Sequence, residues 1–205
     1  MDFITAMEWI GTVAFAISGA VVAIEKKLDY YGIGFLAIIT AIGGGIIRDM
    51  LVGRHLPASL ANPWYAVVSL ITAGFVILFY KRIDKIKHLV SAADAFGLAA
   101  FTAIGAQVAV DYSNGGLYVI IAMAVLTGTF GGVLRDVFAQ VLPRCFHREV
   151  YAAASIAGAV AYASTYENFG NIVAMYVCFG ITLAIRLYAV FKKLDLPKVN
   201  VEKNE

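Results

Sequence analysis

Charge, cysteine and proline are all scarce in this sequence. Charged residues make up 15% of the 205 residues, and Cys145 and Cys178 are the only two cysteines. So little charge cannot cover the surface of a soluble domain of this size. Two cysteines that lie far apart do not indicate a disulfide framework. The sequence therefore argues against both a soluble globular domain and a small disulfide-stapled one.

Signatures of catalysis and of nucleic-acid binding are missing as well. We find no Walker loop, nucleophile elbow or zinc-protease motif, and His55, His88 and His147 lack the spacing of metal ligands. No basic stripe interleaved with aromatic residues is present. We predict a protein that is not an enzyme, has no cofactor and has no nucleic-acid partner.

Apolar residues dominate the chain instead. They make up 61% of it, against about 45–50% in a soluble domain, and the mean hydropathy is +0.80. Crossing a bilayer takes about 20 apolar residues. Seven stretches qualify, near 4–24, 31–52, 64–81, 92–110, 117–142, 150–166 and 172–191. The predicted fold class is an all-α integral membrane protein with seven transmembrane helices.

The basic residues indicate how these helices are oriented. Among the loops and the tail, only Arg54 lies on the side of the N-terminus, whereas twelve basic residues lie on the opposite side. Basic loops stay in the cytoplasm. We therefore predict an N-terminus outside and a C-terminus in the cytoplasm. The N-terminus, Met1-Asp2, has no basic region of a cleavable signal peptide, so we expect the first apolar stretch to be a retained helix.

A three-helix unit occurs twice along the chain. The motif Gly-Gly-x-x-Arg-Asp occurs at 44–49 and again at 131–136, and similar residues align at offsets of 86 or 87 in three separate helices. Because three is an odd number of crossings, the second copy must be inverted, as in many transport proteins. The predicted division is a first repeat at 1–84, a second, inverted repeat at 89–168, a seventh transmembrane helix at 170–191 and a charged cytoplasmic tail at 192–205.

Consecutive glycines occupy the second and fifth spans. Each glycine weakens a helix by about 1 kcal/mol relative to alanine, and these positions are Gly43, Gly44, Gly45, Gly131 and Gly132. We predict that both helices break there, past the membrane centre, and face a pathway. Backbone carbonyls near Gly43 and Gly131 are weak candidates for ion ligands. The alternative is close helix packing through small residues.

Charged residues follow the glycines. Neighbouring residues do not face each other on a helix, so each Arg and Asp of Arg48-Asp49 and Arg135-Asp136 is expected to find a partner elsewhere or to meet water. Charges at membrane depth are costly and often functional. They are predicted to line or gate a pathway near its two opposite mouths, and the alternative is a salt bridge that locks two helices. Hydroxyls that could offer oxygens to an ion, or bond back to their own helix, belong to Thr40, Thr127, Ser69 and Ser155.

The motifs resemble those of a known family. The run Gly11 to Ala20, the segment Lys27-Leu28-Asp29 and the segment 40–49 resemble prokaryotic trimeric intracellular cation (TRIC) channels, which are also grouped as a duplicated putative glycine transporter domain. The resemblance covers about residues 5–190. It implies a homotrimer in the prokaryotic inner membrane, in contact with lipids. It also implies a pore through each protomer that passes potassium and some sodium beside the kinked second and fifth helices. Phe130 stands where the first motif has Gly43, so the second motif lacks a full triple glycine and the resemblance does not imply equal bending of the two helices.

Three functions remain compatible with the residues themselves. The first is a passive potassium-permeable channel, in which the transported ion is potassium or sodium. The second is a secondary transporter of glycine or another small amino acid, because helix ends can hold a carboxylate and loosened carbonyls can hold a coupling ion. The third is a membrane scaffold with no pathway.

Overall fold

The computed structural model describes residues 3–83, 89–112, 116–146, 150–192 and 194. All regular structure in these ranges is helical, which confirms the predicted fold class. The α-helices are α1 (Phe3–Glu25), α2 (Tyr30–Leu51), α3 (Ala58–Ala61), α4 (Trp64–Ile83), α5 (Leu89–Tyr112), α6 (Leu117–Phe138) and α7 (Tyr151–Lys192), and a 3₁₀ turn spans Arg144–Phe146.

The long helices have the length and surface of membrane spans. Among the described residues, six helices are long and apolar enough to cross a bilayer. A helix of 22 residues, such as α2, extends about 33 Å, which matches a hydrocarbon core of about 30 Å. Large apolar side chains such as Leu78 and Phe75 are exposed. The protein is therefore a multi-pass membrane protein.

The predicted sixth and seventh spans are the two arms of α7. Gly170 has φ of 77° and ψ of 174°, outside the helical region. An alanine Cβ at Gly158 would lie 2.0 Å from Thr182 Oγ1, although 24 residues of straight helix would separate these positions by about 36 Å. The chain therefore reverses at Gly170, and the arms 151–169 and 171–192 pack together as a hairpin. Glycine is suited to this position because it adopts positive φ without steric cost.

Helix contacts give the arrangement of the two repeats. Phe35 packs on Phe138 with ring centroids 5.2 Å apart, and Gly44 meets Thr127, so α2 and α6 run in opposite directions. The rings of Phe15 and Phe101 stack at 5.4 Å, while Gly11 contacts Phe101 and Gly97 contacts Phe15. Helices α1 and α5 are therefore antiparallel too. This is the geometry of an inverted repeat, with its interface at the centre of the molecule.

Local chemistry sets the ends of the paired helices. Asp29 caps α2 by accepting a hydrogen bond from the Gly32 N–H at 2.7 Å. The fifth span was predicted to reach residue 142, but α6 ends at Phe138. Gln140 has φ of 54°, and the Val141 N–H donates to the Asp136 carbonyl. Such bonds close the last turn of a helix, which is why α6 stops short of the apolar residues that follow it.

Candidate functional site

The backbones of α2 and α6 touch where they cross. A Cβ added at Gly44 would lie 2.1 Å from the Thr127 carbonyl oxygen, and one added at Gly131 would lie 2.2 Å from the Thr40 carbonyl oxygen. Real Cβ atoms essentially never approach another atom so closely. Glycine is therefore required at both positions, and the two contacts are equivalent in the two repeats.

The predicted helix breaks are absent from the structure. Helix α2 is continuous through Gly43, Gly44 and Gly45, and α6 is continuous through Gly131 and Gly132. The prediction of a break was wrong because the cost of glycine in a helix is offset here by close backbone packing. Releasing helical hydrogen bonds away from water would also cost several kcal/mol per group. The carbonyls near Gly43 and Gly131 lie in intact helices, and their predicted role as ion ligands stays a prediction.

The predicted hydroxyls are buried close to this crossing or at neighbouring helix contacts. Thr40 Oγ1 donates to the Leu36 carbonyl at 2.5 Å and Thr127 Oγ1 donates to the Met123 carbonyl at 2.6 Å. Ser69 donates to the Tyr65 carbonyl, and Ser155 shares a hydrogen bond of 2.8 Å with Thr102. All four hydroxyls thus have protein partners in this conformation, and their contribution to a pathway stays a prediction.

Neighbouring Arg and Asp side chains pair with each other, contrary to expectation. Arg48 Nε donates to Asp49 Oδ1 at 2.8 Å, and Arg135 Nε donates to Asp136 Oδ1 at 2.8 Å. The arginine side chain is long enough to fold around the helix to its neighbour, so the rule for adjacent residues failed here. All four side chains are at least nine-tenths buried.

The second oxygen of each aspartate fixes the chain that follows the helix. Asp49 Oδ2 accepts the Ala58 N–H at 2.8 Å, and Asp136 Oδ2 accepts the Arg144 N–H at 2.9 Å. A proline, Pro57 or Pro143, precedes each of these donors. Both carboxylates therefore link the end of a helix to the next turn, at opposite ends of the α2–α6 pair.

A closed cluster of buried charges surrounds Arg135. Its Nη1 contacts Asp94 Oδ1 in an ion pair and donates to Ser18 Oγ at 2.5 Å. Arg186, from the second arm of α7, lies over the Tyr151 ring at 4.5 Å, and both side chains are buried. Four helices thus supply a compact network of opposite charges, which can hold them together and exclude water.

The equivalent end of the first repeat contains a small cavity. Glu8 Oε2 accepts the Tyr65 hydroxyl at 2.7 Å, and no ion pair links Glu8 to Arg48 among the described residues. A cavity of about 20 Å³ lies between them, which is room for about one water molecule. Thr12 Oγ1 and Ser59 Oγ, also at this cavity, have no hydrogen-bond partner within the described part of the chain.

Arg54 joins the two repeats beside this cavity. Its Nε and Nη2 donate to the Tyr112 hydroxyl at 3.0 and 2.7 Å, and its Nη1 lies 3.5 Å from Asp49 Oδ2. The hydrogen bond to Tyr112 raises the pKa of Arg54, so this loop residue keeps its positive charge. It ties the loop after α2 to the end of α5.

Comparison with known proteins identifies the family. The sequence pattern of the family described as Glycine transporter matches residues 5–81 and, a second time, residues 91–167. The UPF0126 inner membrane protein YadS of Escherichia coli is 34% identical over 201 residues, which cover 97% of each chain. The chain belongs to this glycine transporter family.

Solved structures agree with that assignment. A structure described as the basis for conductance through TRIC cation channels superposes with a TM-score of 0.90 at 33% identity, covering 98% of this chain and 99% of the other. The TRIC trimeric intracellular cation channel orthologue from Rhodobacter sphaeroides gives 0.89 at 30% identity, covering 95% and 100%. The predicted resemblance to prokaryotic TRIC channels is confirmed. These solved structures are described as channels, in agreement with the prediction that the chain is not an enzyme.

Sequence reasoning missed one residue of the charge cluster around Arg135 in this member of the glycine transporter family. Arg186 lies inside the seventh apolar span and is 1% exposed, yet the duplicated motifs do not include it. Its signal was a basic residue inside a membrane span, which is rare and commonly functional. Glu8 and Asp94 lie at equivalent positions of the two repeats, at the offset of 86. The structure places them against the tyrosine and the arginine of their respective repeats.

Proposed function

We propose that the protein is a potassium-permeable channel for monovalent cations, with a pore through each protomer between the two repeats. The observation that carries the proposal is the similarity of nearly the whole chain to TRIC cation channels, with a TM-score of 0.90. The inverted crossing of α2 and α6, with a water-sized cavity at one end, supports a path between the repeats. Arg48, Asp49, Arg135 and Asp136 lie at the two ends of that path.

The assembly we propose is a homotrimer in the prokaryotic inner membrane. Support comes from the trimeric channel orthologue of R. sphaeroides and from the inner membrane protein of E. coli. Lipids contact the exposed apolar side chains, and the N-terminus lies outside. Potassium or sodium is the transported ion and no cofactor takes part.

Recordings from planar bilayers test the channel. Purified trimeric protein is expected to give unitary currents in symmetric potassium chloride, with smaller currents when sodium replaces potassium. A reversal potential measured in a salt gradient separates cation from anion permeation. Folded, trimeric protein that carries no current would exclude the channel function.

Transport of glycine is the second candidate, because the family is described by that substrate. Glu8 and Arg48 place opposite charges at one cavity, as a zwitterion requires. However, a cavity of about 20 Å³ holds about one water molecule, so glycine would need a wider conformation. Saturable, ion-coupled uptake of labelled glycine by proteoliposomes would favour a transporter, whereas flux that rises linearly with glycine concentration would exclude one.

A further inference from the structure

The exposed face of α4 carries a stripe of large apolar side chains that ends in an arginine. Ile71, Phe75 and Leu78 form the stripe, and each is more than half exposed. Arg82 continues it, because positions 71, 75, 78 and 82 have the spacing of one helix face. The Arg82 guanidinium lies 6.0 Å from the centroid of the Phe79 ring, which itself stacks on Phe75 at 6.4 Å. This face therefore offers apolar contact along its length and a positive charge at its end.

The end of α1 reaches the same membrane surface as the end of α4. These helices are the first and third crossings and therefore run in the same direction. Trp9 of α1 stacks on Tyr65 of α4 with ring centroids 5.0 Å apart. Lys26 and Arg82 each follow 17 residues later, which is about 26 Å along a helix and close to the thickness of the hydrocarbon core. Both residues thus lie near the headgroups on one side.

Four basic side chains at these two helix ends form what we call the basic surface: Lys26, Lys27, Lys81 and Arg82. All four are exposed, and none is in an ion pair with another residue in the described ranges. Glu25 and Asp29 are the acidic residues of the turn after α1. Four positive charges against two negative ones leave a net charge of +2, so the basic surface attracts anions.

Lys27 occupies a backbone position that usually belongs to glycine. Its φ is 58°, and the Leu28 N–H donates to the Ala23 carbonyl at 3.0 Å, which closes the last turn of α1 as a Schellman motif. A residue with a side chain is disfavoured in this left-handed region. The chain therefore places a positive charge here at an energetic cost, and such outliers point to a function.

The second repeat lacks this combination. At the offset of 86, the positions of the stripe and of Arg82 hold small or uncharged residues, namely Ala157, Ala161, Ser164 and Asn168. The equivalent face of α7 thus has neither the large apolar side chains nor the basic end. Because the two repeats share one fold, the fold itself requires neither feature.

We propose that α4 and the basic surface bind an anionic phospholipid of the cytoplasmic leaflet, with its phosphate at the basic surface and an acyl chain along the stripe. Charge selects this occupant, because basic residues at a membrane surface attract anionic headgroups. The guanidinium of Arg82 can donate two parallel hydrogen bonds to one phosphate. The apolar stripe selects a lipid over free phosphate. This inference goes beyond the proposed function and does not depend on it.

Quenching by brominated lipids tests the site on the intact protein in phosphatidylcholine vesicles. The two tryptophans, Trp9 and Trp64, are replaced by phenylalanine, and Leu78→Trp places a single fluorophore on the stripe. The vesicles contain brominated phosphatidylglycerol or brominated phosphatidylcholine, and the ratio of quenching gives their relative binding constant at position 78. We expect phosphatidylglycerol to be preferred about fivefold, the effect of about one basic residue at a membrane surface.

Matched variants assign the preference to named side chains. Lys81→Gln combined with Arg82→Gln should abolish the preference, and Lys26→Gln combined with Lys27→Gln should lower it. Arg82→Lys keeps the charge and should retain most of it. Ser164→Trp, in place of Leu78→Trp, moves the fluorophore to the equivalent exposed position of the second repeat and should report no preference.

Three results would overturn the site. The first is equal quenching by the two lipids at position 78, which would leave the basic surface a role in orienting the chain only. The second is a preference that survives Lys81→Gln with Arg82→Gln, and the third is an equal preference at position 164. Size-exclusion chromatography checks the fold of each variant, and Ile71→Trp, two turns away on the same face, is the second probe if Leu78→Trp does not fold. Because no current is measured, failure of the channel function leaves the test intact.

Discussion

Each aspartate of the repeated motif joins an arginine to a turn of the backbone. One oxygen of Asp136 accepts from Arg135, and the other accepts from the Arg144 N–H. Asp49 makes the same two types of contact with Arg48 and Ala58. A carboxylate with both oxygens occupied stabilises the fold, and it does not attract an ion while these bonds last. This arrangement explains why Arg and Asp stand next to each other in both copies.

The structural role of this carboxylate predicts a loss of stability. Asp136→Asn keeps an acceptor for the Arg144 N–H but removes a negative charge beside the buried Arg135. We expect the free energy of unfolding to fall by about 3 kcal/mol, as for other broken buried ion pairs. Thermal unfolding in detergent measures the effect. Glu167→Gln, at an exposed position, is the control and should melt like the wild type. If Asp136→Asn leaves the melting temperature unchanged but alters ion flux, Asp136 would instead belong to the pathway.

The positions of the charged residues in the spans could be predicted from the sequence, but the partners of these residues could not. Because Arg48 and Asp49 are adjacent in sequence, their side chains were expected to point away from each other on the helix. This expectation considers only the directions of the side chains and neglects the length of the arginine side chain. Arg186 was missed since it belongs to neither repeat. Its contact with Tyr151 joins residues 35 positions apart, which periodicity within one span does not reveal.

At the scale of helices, hydropathy predicted the ends of every span to within a few residues. Local helix propensity, however, predicted breaks in α2 and α6 that the structure does not have. The glycine penalty applies to an isolated helix in water. In α2 and α6 the glycines instead allow two backbones to touch through Gly44 and Gly131. Whether a glycine bends a helix or brings it close to another depends on the neighbouring helix, which the sequence of a single span does not specify.

The crossing of α2 and α6 predicts that alanine substitutions at two glycines have very different effects on stability. In Gly44→Ala the new methyl would lie 2.1 Å from the Thr127 carbonyl oxygen, so α2 and α6 must separate. We expect the free energy of unfolding to fall by about 3 kcal/mol, at the upper end of overpacking effects. Gly74→Ala is the matched control, because a Cβ there meets no atom within 4 Å and alanine favours a helix by about 0.5–1 kcal/mol. Equal melting temperatures for the two variants would contradict direct contact between the backbones.

At the scale of the whole molecule, the inverted repeat produces two similar ends that differ in state. Equivalent residues build both, yet one end is a buried ion-pair network around Arg135 and the other has a cavity lined by Glu8 and Arg48. The repeat itself was evident from sequence, because matching residues recur in three helices. The difference between its ends was not, because Ser18 of α1 and Arg186 of the second arm of α7, which join the cluster at one end, both lie outside the duplicated motif.

The basic loops predict the orientation of the whole molecule, and this prediction is directly testable. His55 and Lys26 are exposed at opposite ends of α2, and the cytoplasm is expected on the side of Lys26, where basic residues are concentrated. In protein without Cys145 and Cys178, His55→Cys should react with an impermeant maleimide on intact cells, whereas Lys26→Cys should react only after permeabilisation. The reverse pattern would invert the orientation, and it would place the Asp94–Arg135 pair on the outer side of the membrane and the cavity lined by Glu8 and Arg48 on the cytoplasmic side.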